Sequence, residues 1–181
     1  WWGFDYRTAL ERLLQLPVVY SNDTNAAALY AHHRHFGPVA GQRSSVAAIV
    51  GTGLGGGVIH DGTTIKGAAG MAGELGHVHI PTAGLLEDDQ PMPRCNCGFE
   101  GDAIGRLFTI MANVTDPDVY FIGGGVLEAA DHFRVWYLGR VREHTQLRQE
   151  QADLADAVEV TDLDMAGCRG AAVAARSLLG H

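Results

Sequence analysis

Ser44-Ser45-Val46-Ala47-Ala48-Ile49-Val50-Gly51-Thr52-Gly53-Leu54-Gly55-Gly56-Gly57-Val58-Ile59-His60-Asp61-Gly62-Thr63-Thr64-Ile65 decides the architecture of this chain. Ser44 to Val50 is an apolar run of strand type. Asp61-Gly62 after His60 is a strong hairpin signal, so Gly55–Ile65 is predicted as two antiparallel strands. Five glycines occupy the seven positions from Gly51 to Gly57. At a strand junction such a run lets the backbone approach an anion closely and offers bare N–H donors. Two readings stand side by side there, a phosphate-binding loop and a flexible β-turn. The run is neither a Walker A loop, which carries Gly-Lys-Ser/Thr, nor a dinucleotide fingerprint opening a helix.

Upstream, Asp5–Gln15 places apolar residues at 6, 9, 10, 13 and 14, a helical stripe. Pro17-Val18-Val19-Tyr20 is predicted as a short strand, ended by Ser21-Asn22-Asp23-Thr24-Asn25. A helix begins at Ala26-Ala27-Ala28, with Asn22 or Asp23 placed to cap it. Asn22 and Asp23 then lie at the C-terminal end of a strand, the edge where open α/β sheets bind ligands. Asp23 is either a working carboxylate or simply the helix cap.

Downstream, the small residues Gly67–Gly73 lead into Glu74-Leu75-Gly76-His77. One helical turn there puts Glu74 and His77 on one face. A carboxylate beside an imidazole suits a polyol such as a sugar. Cys95-Asn96-Cys97 supplies two thiols, soft ligands for Zn²⁺. With His77 and Asp102 they form a candidate four-ligand set, in which His79 is the competing imidazole. Ala103–Asn113 is predicted as a helix, Asp118–Ile122 as a buried strand followed by Gly123-Gly124-Gly125, and Glu128–Glu143 as a further helix. Thr145–Ala157 is a polar connection, Val158–Val160 a last strand and Met165–Leu179 a closing helix. Strand, glycine turn and helix in alternation indicate an α/β fold.

The 181 residues can bury a proper core, and 46% hydrophobic with 19% charged residues is ordinary for a globular protein. The formal net charge is -8, and the 13 Lys+Arg form no basic run, which argues against direct nucleic-acid binding by this chain. No apolar run reaches the ~20 residues that span a bilayer, so no membrane partner is expected. Three cysteines, two of them in Cys-x-Cys, make no disulfide framework and fit metal binding in a reducing cytoplasm.

Five segments in fixed order resemble the ROK family, the repressors, open reading frames and sugar kinases of the actin-like ATPase superfamily. They are Asn22-Asp23-Thr24-Asn25-Ala26-Ala27, Gly51-Thr52-Gly53-Leu54-Gly55-Gly56-Gly57, Gly73-Glu74-Leu75-Gly76-His77, Cys95-Asn96-Cys97-Gly98 and Ile122-Gly123-Gly124-Gly125-Val126. The resemblance implies the C-terminal lobe of a ribonuclease H-like fold over residues 1–181, a mixed sheet flanked by helices. It implies a glucokinase-like hexose kinase in which Asp23 is the general base and Asn22 a sugar contact beside it. Gly51, Thr52 and Gly53 would form a phosphate-binding loop, and Gly123 and Gly124 the adenosine-contacting turn. Glu74 and His77 would bind sugar hydroxyls. His77 would also join Cys95, Cys97 and Asp102 around a structural Zn²⁺, in a loop insert of about residues 77–102. ATP and Mg²⁺ are the implied cofactors, sugar and nucleotide the small-molecule partners, and a homodimer the implied assembly.

Four departures from the family pattern qualify that expectation. The Asp-x-Gly-x-Thr phosphate loop of the N-terminal lobe occurs nowhere in the sequence, so that lobe is expected to be absent. Asp102 stands where the family has a third cysteine, and Ile104 where it has a sugar-binding glutamate. A helical segment is missing between the cysteines and Thr115, as though deleted near 103–104. Two alternatives to a kinase therefore remain: a sugar-sensing effector domain of a ROK repressor, and a catalytically inactive truncated relative.

Overall fold

The computed structural model describes residues 3–51, 53–78, 104–125, 127, 131–151, 158–160 and 165–179. Its five strands are β1 (Ser45–Val50), β2 (Leu54–His60), β3 (Thr63–Thr64), β4 (Val119–Gly123) and β5 (Val158–Val160). They form one sheet in the order β3-β2-β1-β4-β5. β1 pairs antiparallel with β2 and parallel with β4, so the sheet is mixed and β1 is its pivot. The hairpin read from Asp61-Gly62 is present: both residues have positive φ, 48° and 69°, the requirement of a type I′ turn.

The helices are α1 (Tyr6–Leu14), α2 (Asp23–Phe36), α3 (Ile104–Thr115), α4 (Asp131–His144) and α5 (Ala166–Ser177). Alternation along the strands distributes side chains to two apolar layers, as the period of two demands. Val46, Ala48, Tyr120 and Ile122 pack with Leu107, Phe108 and Met111 of α3 and Val141 of α4. Ala47, Val119 and Phe121 point the other way, onto Ala28, Leu29 and Ala31 of α2, with Val173 and Ala174 of α5 alongside. The strands thus carry apolar residues on both faces because both faces are covered.

One expectation is overturned and two are sharpened. Pro17–Tyr20 is not a strand: no sheet includes it, and the Val18 N–H donates to Glu11 Oε1 at 3.2 Å rather than to a ladder. Thr145–Gln151, the described part of the polar connection, is tied to α3. The Gln146 N–H donates to Thr109 Oγ1 (2.8 Å), and Gln151 Nε2 donates to the Ala112 carbonyl (3.0 Å) and to Asp116 Oδ1 (2.7 Å). The helix expected over Glu128–Glu143 is described as Asp131–His144, with 128–130 outside the described residues.

Two polar devices set the register. Asp118 accepts from the Ser44 N–H and from Arg43 Nη1, both at 2.8 Å, which locks the start of β4 to the start of β1. Burial opposes ionisation of this carboxyl, yet the Ser44 and Arg43 hydrogen bonds outweigh it and hold its pKa below the ordinary range. The second device is His32, wholly buried in α2. Its Nε2 lies 2.9 Å from the Ala40 carbonyl, which can only accept, so Nε2 carries the proton. Nδ1 therefore accepts from Ser45 Oγ at 2.8 Å.

Burial lowers the pKa of His32, and likewise that of His33, from the ordinary 6.5. Above pH 6.5 folded and unfolded chains are both neutral at these positions. As pH falls below 6.5 the unfolded chain takes up protons that the folded chain refuses, so stability falls until the depressed folded values are reached. Urea unfolding is expected to show a lower midpoint at pH 5.5 than at pH 7.5, with a smaller difference between the two in His32→Gln.

Candidate functional site

The described candidate residues lie on elements that meet near the N-terminus of α2. Asn22, not Asp23, is the cap. Its Oδ1 accepts from the Thr24 N–H (2.8 Å), Thr24 Oγ1 (2.6 Å) and the Asn25 N–H (3.2 Å), which satisfies orphan donors of the first turn. Asp23 is the first residue of the helix, exposed, with Oδ1 accepting from the Thr24 N–H at 2.8 Å. The reading of Asp23 as merely a cap is thereby removed. Its carboxylate stands at the mouth of the helix and is open to solvent.

The glycine run divides by role. Gly51 and Gly53 form the tip of the β1–β2 hairpin, where the Gly51 N–H donates to the Gly53 carbonyl at 2.9 Å. A Cβ built on either would meet nothing within 4 Å, so packing does not require glycine at these two positions. Gly55, Gly56 and Gly57 lie within β2 and are there for contact. A Cβ on Gly55 would overlap the Thr24 methyl, one on Gly56 would overlap Leu75, and one on Gly57 would come within 2.5 Å of Ala28 Cβ. Two different needs, an open tip and a flat strand face, had been merged in a single sequence signal. Thr52 lies outside the described residues.

Gly123 ends β4 opposite Ile49 of β1, and Gly124 follows with φ 107°. A Cβ on Gly124 would run into the Val50 backbone. The turn after β4 therefore lies directly against the residue before the Gly51–Gly53 tip, and the two glycine turns expected to serve nucleotide sit side by side at one sheet edge. A left-handed backbone in contact with a neighbouring strand admits only glycine in practice.

The loop carrying Glu74 and His77 reaches the same region from the other side. Leu75–His77 is a short 3₁₀ turn, in which residues three apart eclipse. Glu74 Oε2 and His77 Nε2 accordingly share a face, 4.0 Å apart, too far for a hydrogen bond. Glu74 is half-buried and His77 exposed. The loop is seated on β2: a Cβ on Gly76 would collide with the Leu54 carbonyl, and one on Gly73 would lie 3.1 Å from Asn25 Oδ1 and 3.2 Å from Gly57 Cα. Asn25 Oδ1 is itself buried without a hydrogen-bond partner. No sequence signal singled Asn25 out, since its meaning depends on what packs over it.

Cys95, Cys97 and Asp102 lie outside the described residues, as does His79. Among the described residues there is no group of three or more His, Cys, Asp or Glu able to hold a metal. His77 is the one member of the expected zinc set that is described. Also among the described residues, no helix is long and apolar enough to cross a membrane.

The model of the ROK family matches residues 1–102. The chain is 37% identical over 101 residues to a glucokinase from Halalkalibacterium halodurans, covering 56% of this chain and 28% of that protein. It is 36% identical over 101 residues to a xylose repressor from Caldicellulosiruptor bescii, covering 56% of this chain and 23% of that protein. The matched stretch thus spans less than a third of either relative. Among solved structures, a ROK hexokinase from Thermus thermophilus superposes with a TM-score of 0.71 at 27% identity, covering 96% of this chain and 70% of that one. The α/β architecture, a mixed sheet flanked by helices, is that of the actin-like ATPase fold.

The two classes of glycine are separable by stability. Gly57→Ala is expected to lower the unfolding free energy by about 1–3 kcal/mol through overpacking against Ala28. Gly53→Ala should stay within about 0.5 kcal/mol of the unaltered chain. Urea titrations of the two variants, measured in parallel, check both values.

Proposed function

The chain belongs to the ROK family, and on that premise we propose that it forms part of an ATP-dependent sugar kinase with a hexose as acceptor. One observation carries this reading. An exposed carboxylate, Asp23, stands at the mouth of α2 within a residue of the Thr24–Gly55 contact, while the Glu74 loop is seated on the neighbouring Gly56 and Gly57. Two acidic groups are brought toward one strand, with two glycine turns beside them.

In the proposed reaction Asp23 accepts the proton of the attacking sugar hydroxyl. The hydroxyl oxygen forms a bond to the γ-phosphorus of ATP, the bond from that phosphorus to the bridging oxygen breaks, and ADP leaves. Asn22 contacts the sugar from the cap position, and Glu74 and His77 take further hydroxyls. Gly51, Thr52 and Gly53 form the loop that holds the phosphates, and Gly123 and Gly124 the turn that contacts the adenosine. Magnesium arriving with ATP neutralises charge on the phosphates when bound.

Removing the proposed base should cut turnover without unseating the sugar. In the full-length protein, Asp23→Ala is expected to lower sugar-dependent ADP release by about 10²–10⁴-fold. Equal rates in the variant and the parent would dispose of the assignment.

His77, Cys95, Cys97 and Asp102 form a donor set suited to zinc, an imidazole and two thiolates with one carboxylate. The exposure of His77 at the end of its turn, with no hydrogen bond to Glu74, is compatible with a ligand role. Such a zinc would pin the far end of the loop that begins at Glu74. Purified protein should contain about one zinc per chain, and chelation should make Cys95 and Cys97 reactive to a thiol reagent. Freely titrating thiols without chelation would remove the site.

The similarity to the xylose repressor supports a second reading, in which the same residues sense a sugar for a DNA-binding protein. The reading frame ahead of Trp1 separates the two. A basic winged helix there favours the regulator, and an Asp-x-Gly-x-Thr loop without one favours the kinase.

A further inference from the structure

Asn25 is buried to 6% exposure at the first turn of α2, and its side-chain oxygen has no hydrogen-bond partner. An amide oxygen sealed from water in this way is costly, and a well-folded chain rarely leaves one without a role. Its surroundings are specific. Cβ atoms built on Gly57 of β2 and on Gly73 would each lie 3.1 Å from this oxygen. Three backbones, those of α2, β2 and the Glu74 loop, therefore close around it.

The position matters because of what lies on either side. Asp23 is two residues before Asn25 on the helix, and Glu74 directly follows Gly73. Gly73 has φ 90°, a conformation open to glycine and strained for other residues, and it leads the chain into the Glu74 turn. The unpartnered oxygen thus sits at the joint between the two acidic groups. A ligand engaging both groups would draw the loop toward the helix and bring a loop N–H to this oxygen.

We propose, resting on the kinase reading above, that Asn25 is a positioning residue whose side-chain oxygen accepts a hydrogen bond from the backbone of the Gly73–His77 loop when sugar is bound. That bond sets Glu74 at its working distance from Asp23. Asn25 does not touch the sugar, and its effect passes through Glu74.

The test uses the full-length protein with D-glucose, N-acetyl-D-glucosamine and N-acetyl-D-mannosamine as probes. Hydrogen exchange of the 73–77 amides is measured with and without each sugar, in the parent and in Asn25→Leu, beside KM values for sugar and ATP. The expected result is sugar-dependent protection of the loop in the parent and none in the variant. The sugar KM should rise at least tenfold, with the ATP KM within twofold. Loss of loop protection to the same extent with and without sugar would mean a merely structural role and would overturn the proposal. A variant that matches its parent in protection and KM overturns the proposal while leaving the kinase reading standing. A parent that neither phosphorylates nor is protected by any of the three sugars brings down the kinase reading and this proposal together. Should Asn25→Leu not fold, Asn25→Ser, which retains an oxygen at shorter reach, is put through the same comparison and is held to the same expected loss.

Discussion

The close approach of α2 to the glycine face of β2 is the constraint on which the site depends. Gly55, Gly56 and Gly57 remove three consecutive side chains from a central strand, a weakening that strands otherwise avoid. The consequence is that Thr24 and Ala28 of the helix, and Leu75 of the following loop, lie almost on the strand backbone. A second close contact holds the helix from behind, where a Cβ on Gly170 of α5 would overlap the Ala26 carbonyl. Pinned on both sides, the first turn of α2 has little freedom, and Asp23 inherits its position from that packing.

The sheet then determines what Asp23 can face. β1 has an antiparallel neighbour on one side and a parallel neighbour on the other. Its C-terminal end therefore opens directly into a hairpin tip, while the C-terminal end of β4 emerges beside it in the same direction. This juxtaposition brings Gly124 against Val50 and next to the Gly51–Gly53 tip. The Asp118 bonds to Arg43 and Ser44 at the opposite end of the same pair hold the register that makes the two turns level. A slip of one residue would exchange the faces of β4, burying the wrong set of side chains in each layer.

The two layers are unequal in character. On the α3 and α4 side the Phe108 and Tyr120 rings lie 4.8 Å apart. On the α2 and α5 side Phe121, Ile59 and Leu29 fill the layer, while small residues at Gly55, Gly57 and Gly170 let backbones meet closely. Large side chains supply burial on both faces, and the glycines at 55, 57 and 170 allow the helix carrying Asp23 to sit near the strand. His32 is a buried polar side chain on the α2 side, and it is tolerated because Ala40 and Ser45 satisfy both ring nitrogens.

Much of the architecture follows from the sequence alone, because its signals are local. Asp61-Gly62 encodes a type I′ turn, the 46–50 and 119–122 runs encode buried strands, and Glu74 to His77 encode one turn with both side chains on a face. These depend on backbone preferences and periodicity within a few residues. Pro17–Tyr20 shows the limit: an apolar run has strand character, but a strand exists only where a partner accepts its hydrogen bonds, and Val18 donates to Glu11 instead. Tertiary structure alone decided that Asn22 caps the helix and leaves Asp23 available. It alone divided one glycine run into an open tip and a packing face, and revealed Asn25 beneath Gly73. The cap bonds of Asn22 reach only two and three residues along, but the local sequence fits Asn22 and Asp23 alike. For the glycines and Asn25 the deciding fact is which atoms from distant parts of the chain come within van der Waals or hydrogen-bond range, and no local pattern of residues contains that distance.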